Sequence, residues 1–321
     1  MLGIARTLCP LLWLAGACAS NPVTFRDCEQ PVETLYEGFA IAGGLAVADG
    51  EAYFTTFDPN TTHTQLRAVS TACGHAARTL ADIPRPRVPA LAVATTSVLV
   101  ATDSTLFAIP RTGGTPVAIY SFSGVTQPAF SVVNDTAYLV DGVKVIAVSV
   151  STADATTIAS LSGAVSQDEQ LVAANSQLYV AATSWIDAVD PSSGQIQPVT
   201  TAVTTLGGIA VDATAIYVPQ VQGFAVVPLD GQPVHTIATS ESPGLTAIDR
   251  GHLYTTFSEP FTPQAGPQES LARVSLPDGA VEILASGLRE AEGLALDDAA
   301  LYAAVSGYSS DAARIARVQL P

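Results

Sequence analysis

The phrase Gly208-Ile209-Ala210-Val211-Asp212-Ala213-Thr214-Ala215-Ile216-Tyr217-Val218 returns in degenerate form along the whole chain. Aligned on its tyrosine, the series runs Tyr53, Leu99, Tyr138, Tyr179, Tyr217, Tyr254 and Tyr302, with spacings of 46, 39, 41, 38, 37 and 48 residues. A self-similar unit of this length cannot bury its apolar face alone and must stack on copies of itself. Short strands at this period predict an all-β, seven-bladed β-propeller. Because the repeats span the body of the chain evenly, residues 30–321 are read as one closed domain.

Each repeat carries four strand signals. Strand A is short and rich in small residues, as in Leu45-Ala46-Val47 and Ile209-Ala210-Val211. A turn follows, such as Asp49-Gly50-Glu51, Asn134-Asp135-Thr136 or Asp297-Asp298-Ala299, built from residue types that favour tight turns. Strand B carries the recurring tyrosine, whose ring is expected to pack between blades while its hydroxyl finds a partner at the blade edge. Strand C appears as Thr105-Leu106-Phe107-Ala108-Ile109 or Ser270-Leu271-Ala272-Arg273-Val274, and strand D as Val281-Glu282-Ile283-Leu284. The last repeat ends after strand C, at Arg314-Ile315-Ala316-Arg317-Val318. Its fourth strand is found at the other end, where residues 30–38 mirror residues 278–287. The N-terminal segment is therefore expected to be strand D of blade 7, closing the ring and removing the sheet edges between the termini.

Residues 1–17 read as an export signal, with Arg6 as the positive region and an uncharged run from Leu8 to Gly16 that is too short to span a bilayer. Leu14-Ala15-Gly16-Ala17-Cys18 resembles a bacterial lipobox, which implies lipidation of Cys18 and a tether over residues 18–29. Ala19 and Ser20 lack the aspartate that would retain a lipoprotein at the inner membrane, so the resemblance implies the outer membrane. In an oxidising compartment Cys28 and Cys73 are expected either to pair as a disulfide or to remain buried thiols. The ring closure favours the pair, since both fall in outer turns of neighbouring blades. The formal net charge is −16, and Lys144 is the only lysine. Such a surface repels phosphate backbones and anionic headgroups, which argues against nucleic acid as a partner and against membrane contact beyond the lipid.

The phrases Gly-Gly-Ile-Ala-Val-Asp at 207–212 and Val227-Pro228-Leu229-Asp230-Gly231 resemble repeats of the NHL, TolB-like and gluconolactonase-like propellers. Those groups include lactonases, lyases and protein-binding scaffolds, so the resemblance implies a fold and leaves the activity open.

Candidate binding residues fall on the face that carries the B–C loops and D–A connections, pointing away from the tether. Three B–C loops are long and belong to adjacent blades. They offer Phe57, Asp58, Asn60 and His63 in blade 1, Phe257, Glu259 and Phe261 in blade 6, and Tyr308 in blade 7 as a rim for an envelope protein or glycan. At the channel mouth, Arg85 and Arg87 enter blade 2 while Glu290 and Glu292 enter blade 7. The alternative is a channel-mouth lactone hydrolase or lyase working around Glu290, Glu292 and Arg85. The gluconolactonase resemblance implies a metal held by Glu, Asn and Asp. Of the four asparagines, Asn134 and Asn175 lie in A–B turns on the other face, so that ligand set is unmatched. His63, His75, His235 and His252 lack metal-ligand spacing, and no nucleophile elbow, P-loop or calcium loop is present. The expectation is a non-catalytic binding protein with no cofactor and no metal.

Overall fold

Hairpin turns between strands A and B set the repeat. In three blades both central residues are left-handed: Asp49-Gly50, Asn175-Ser176 and Arg250-Gly251. This pairing is the type I′ geometry whose twist matches that of the flanking strands. Blades 5 and 7 use an aspartate clasp instead. Asp212 accepts hydrogen bonds from the Thr214 and Ala215 amides and the Thr214 hydroxyl, and Tyr217 donates its hydroxyl to the other carboxylate oxygen at 2.9 Å. Asp297 repeats this with the amides of Ala299 and Ala300 and the Tyr302 hydroxyl. Burial raises the pKa of Asp212, but the hydrogen bonds from Thr214, Ala215 and Tyr217 outweigh it and hold the carboxyl below its usual value.

The computed structural model describes residues 32–320, apart from 39–40, 59–62, 73–74, 84–89, 124–128, 164–169, 206–207, 260–267, 277 and 307–312. Cys18, Cys28 and Cys73 lie outside the described residues, as do the export signal and the tether. The described strands form seven antiparallel four-stranded sheets. The first, β1 (Val32–Gly38), belongs to the last sheet. Blade 1 is built from β2 to β5 (Ile41–Ala48, Glu51–Asp58, His63–Ser70 and Arg78–Ile83) and blade 2 from β6 to β9 (Ala90–Val93, Ser97–Ala101, Thr105–Pro110 and Val117–Ser121). Blade 3 takes β10 to β13 (Phe130–Val133, Thr136–Asp141, Lys144–Ser149 and Ala155–Ser160), and blade 4 takes β14 to β17 (Gln170–Ala174, Gln177–Ala182, Trp185–Val189 and Ile196–Thr200). Blade 5 follows with β18 to β21 (Ala210–Val211, Ala215–Gln220, Gly223–Pro228 and His235–Ala238), and blade 6 with β22 to β25 (Pro243–Asp249, His252–Ser258, Glu269–Ser275 and Val281–Leu288). Blade 7 orders β26 (Ala291–Leu296), β27 (Ala300–Val305) and β28 (Ala313–Gln319) against β1. All seven aligned positions fall in strand B, and β1 pairs with β28 from Val32↔Val318 to Gly38↔Ala313. The fold is therefore a seven-bladed propeller closed by its N-terminal strand.

The core lies between the blades. Seven apolar clusters occupy the seven seams, for example Tyr53, Leu66 and Ile83 with Val98 and Ile109 between blades 1 and 2. Near the axis the innermost strands touch, and glycine permits the approach: a side chain at Gly293 would press on Leu45 of blade 1 and one at Gly44 on Leu91 of blade 2. At the outer edge, strand D is bulged in six of the seven blades, at Leu35, Leu80, Ile119, Ile158, Val199 and Leu284, with a second shift in blade 6. Each of these aliphatic bulges packs into the seam with the next blade. The bulge kinks the edge strand and so discourages a further strand from pairing with it.

Arginines on or next to strands C and D tie the seam between blades 1 and 2 and, in blades 6 and 7, strand C to strand D. Arg111 donates to the Tyr53 hydroxyl at 2.9 Å and pairs with Asp49, while Arg78 bridges Glu51 and the Arg111 carbonyl. In blade 7, Arg317 reaches Glu33 at 2.9 Å, and in blade 6 Arg273 pairs with Glu282. The two pairs occupy equivalent C–D positions, Glu33↔Arg317 and Arg273↔Glu282.

Candidate functional site

Strand C of blade 6 begins at Glu269, directly after the long B–C loop, and this brings it beside the connection that leads into blade 7. Glu269 accepts a hydrogen bond from the Ala291 amide at 3.1 Å. Its flanking neighbour Glu259 accepts from the Ser270 hydroxyl at 2.9 Å and from the Gly287 amide at 2.8 Å, and its own amide donates to the Gln268 carbonyl. Glu259 thus clasps the base of the B–C loop to the end of strand D. Across the connection, Ser306 donates its amide and its hydroxyl to the Glu290 carbonyl. That bond fixes the backbone from which the Glu290 and Glu292 side chains project, both exposed. Four carboxylates from two adjacent blades therefore gather on one side of the face that carries the B–C loops.

Burial pushes the Glu269 carboxyl above its ordinary value. The Ala291 amide opposes the shift, and the charges of Glu290 and Glu292 add to it. A carboxylate that responds to two like-charged neighbours marks a concentration of negative potential, which a cation or a basic protein surface would relieve. Among the described residues, no group of three or more His, Cys, Asp or Glu side chains is arranged to hold a metal ion.

Of the residues expected at this face, Glu259, Glu290 and Glu292 belong to the cluster. Phe257 does not reach the rim: it is 1% exposed and belongs to the apolar cluster that holds Tyr217 and Phe224 of blade 5. In blade 1, the next blade after blade 7, Phe57 is half-buried and His63 is exposed, at the two ends of the B–C loop, and Asp58 is the last residue of β3. Asn60, Arg85, Arg87, Phe261 and Tyr308 lie outside the described residues. Two members of the face that carries the B–C loops went unread in the sequence. Glu269 sits in a strand whose alternation gives no sign that blade 7 approaches it. Asp141, 6% exposed, accepts from the Tyr120 hydroxyl and from the Ser123 amide and hydroxyl, fixing the connection between blades 2 and 3.

No family model and no curated protein sequence matches the chain. Many solved structures share its fold. The computationally designed Ika8 protein superposes with a TM-score of 0.55 at 12% identity, covering 88% of this chain and 98% of that one. BamB from Moraxella catarrhalis gives 0.51 at 12% identity, with 87% and 86% covered, and the N-terminal domain of Nup159 gives 0.52 at 11%, with 89% and 93% covered. At these identities the likeness is one of fold alone.

Proposed function

We propose that this chain is a non-catalytic propeller of the bacterial cell envelope, held at the outer membrane by lipid on Cys18, and that it docks a basic surface of a partner protein on the acidic side of its outward face. One observation carries the reading: Glu259, Glu269, Glu290 and Glu292 are collected from two blades, and two of them project from a backbone already fixed by Ser306. Prefixed carboxylates lose little freedom on binding, and electrostatic complementarity steers the approach.

The test is site-specific photocrosslinking in the native envelope from positions 290 and 292, with position 232 on the opposite face as reference. The expected result is one adduct from the acidic side, weakened by salt and lost when whichever of Glu290 and Glu292 does not carry the probe is replaced by Lys. Equal adducts from both faces, or adducts indifferent to charge reversal, would overturn the docking surface. Retention of the protein in the membrane fraction after Cys18→Ser would overturn the lipid anchor independently.

A further inference from the structure

On the opposite face, the seam between blades 4 and 5 departs from the way its neighbours are closed. In blades 2, 4 and 6 a glycine of the C–D turn rests on strand D of the preceding blade. The Gly114 amide donates to the Leu80 carbonyl at 3.0 Å, and a Cβ at Gly113 would stand 3.1 Å from the same oxygen. A Cβ at Gly194 would collide with the Ile158 carbonyl, and one at Gly279 would lie 2.9 Å from Ile237. The counterpart in blade 5, Gly231, meets nothing within 4 Å. Between it and strand D of blade 4 opens a cleft of about 680 Å³, twice the 340 Å³ of the cleft between blades 5 and 6.

Tyr179 lines this cleft and is 4% exposed. Five residues before Tyr217 and Tyr302 stands the aspartate that takes their hydroxyls, whereas five residues before Tyr179 stands Ala174. The Tyr179 hydroxyl has no hydrogen-bond partner among the described residues, yet it is not one of the sealed polar atoms of the interior, so it meets solvent through the cleft. Around it stand the amides of Gln177, Gln195 and Gln197, with Pro198 and Pro228 as rigid apolar walls. Asp190, also at the rim, already accepts from the Ser192 amide and hydroxyl and from the Ser193 amide.

We propose that this cleft binds a short neutral oligosaccharide. Its volume is that of a ligand site. None of the described lining residues is basic, so an anion would find no counter-charge, and the one carboxylate has its Oδ1 taken within its own turn and keeps Oδ2 as an acceptor for a hydroxyl. Glutamine amides and a phenol hydroxyl both donate and accept, which is the pattern that sugar hydroxyls require. An added peptide strand is opposed because Pro198 removes an amide from the middle of β17.

The experiment is saturation-transfer difference NMR of the intact protein with maltotriose, cellotriose and chitotriose, each at ~10 mM, a concentration that detects weak binding. At least one should bind. Tyr179→Phe should weaken it about three- to tenfold without moving the thermal midpoint, as for loss of one hydrogen bond. Gln197→Ala, on an exposed edge, should weaken it similarly. Ala174→Asp, which installs the clasp of blade 5, should abolish it, and Tyr217→Phe in the adjacent cleft should leave it unchanged. No binding by any of the three sugars would overturn the proposal. So would affinity unaltered by Tyr179→Phe, or resonances of Gln197 and Gly231 that shift with a proline-rich peptide and with no sugar.

Discussion

Glu33 and Arg317, 284 positions apart, face each other across β1 and β28 with the guanidinium Nη1 2.9 Å from the carboxylate. Glu33 is 8% exposed; its Oε1 and the Arg317 Nε are sealed without a partner. Such a pair stabilises little relative to apolar residues, yet losing one member strands the other. Arg317→Met should therefore cost about 3 kcal/mol, and the double change Glu33→Leu with Arg317→Leu should recover most of that. The exposed equivalent, Arg273→Met against Glu282, should cost less than about 1 kcal/mol. Equilibrium denaturation of the three variants beside the parent separates these outcomes.

Alkali should reveal the tyrosine clasps. Burial first, and then the hydrogen bond to a neighbouring carboxylate and its charge, push Tyr120, Tyr217 and Tyr302 up to about 12. A raised folded pKa contributes stability that is fully present below the ordinary tyrosine value of 10.0 and is lost as pH rises through the folded value. In a phenolate absorbance titration, at least three of the nine tyrosines should resist ionisation until near pH 12. Asp212→Asn should return one of them toward the ordinary value.

Glu269 has the same sign at lower pH. Its folded pKa is raised, so its contribution is complete below the unfolded value of 4.5 and is lost as pH climbs through the folded value. Glu269→Gln retains an acceptor for the Ala291 amide and removes the charge. The variant should melt higher than the parent at pH 7 and at the same temperature at pH 4. Thermal midpoints across that interval test it.

The C–D glycines should differ by their surroundings. Gly194 and Gly231 are both left-handed, at φ 71° and 80°, so alanine strains either by about 1 kcal/mol. At position 194 the new methyl also strikes the Ile158 carbonyl, whereas at 231 it enters open space. Gly194→Ala should thus cost at least about 2 kcal/mol more than Gly231→Ala in urea denaturation.

Much of this architecture was legible because a propeller writes its geometry locally. The recurring tyrosine marked strand B in six blades, and Leu99 marked it in the seventh. The likeness of residues 30–38 to residues 278–287 located the closing strand, and the structure extends it to charge, since Glu33 and Glu282 face equivalent arginines. The tyrosine hydroxyls at Asp212 and Asp297 meet the partners expected at the blade edge. Seam chemistry stayed hidden. Whether Phe257 ends in solvent or under blade 5, and whether Glu269 feels Glu290, depends on how neighbouring blades are set against each other, and no single repeat contains that information. The strand D bulges escaped for a related reason: an extra aliphatic residue in a short apolar strand leaves its composition unchanged.

The pairing of β1 with β28 also has a meaning in time. Blades 1 to 6 are each made from contiguous sequence, so each can form as soon as its own residues emerge. Blade 7 cannot, because the strand that completes it is made before the other six blades and its partner after them. While the other six blades are made Val32–Gly38 must wait for its partner, and β28, once made, presents an open edge until that strand arrives. Closing so long a loop is slow relative to local hairpins, so the last event of folding is also the one most exposed to interference from other chains.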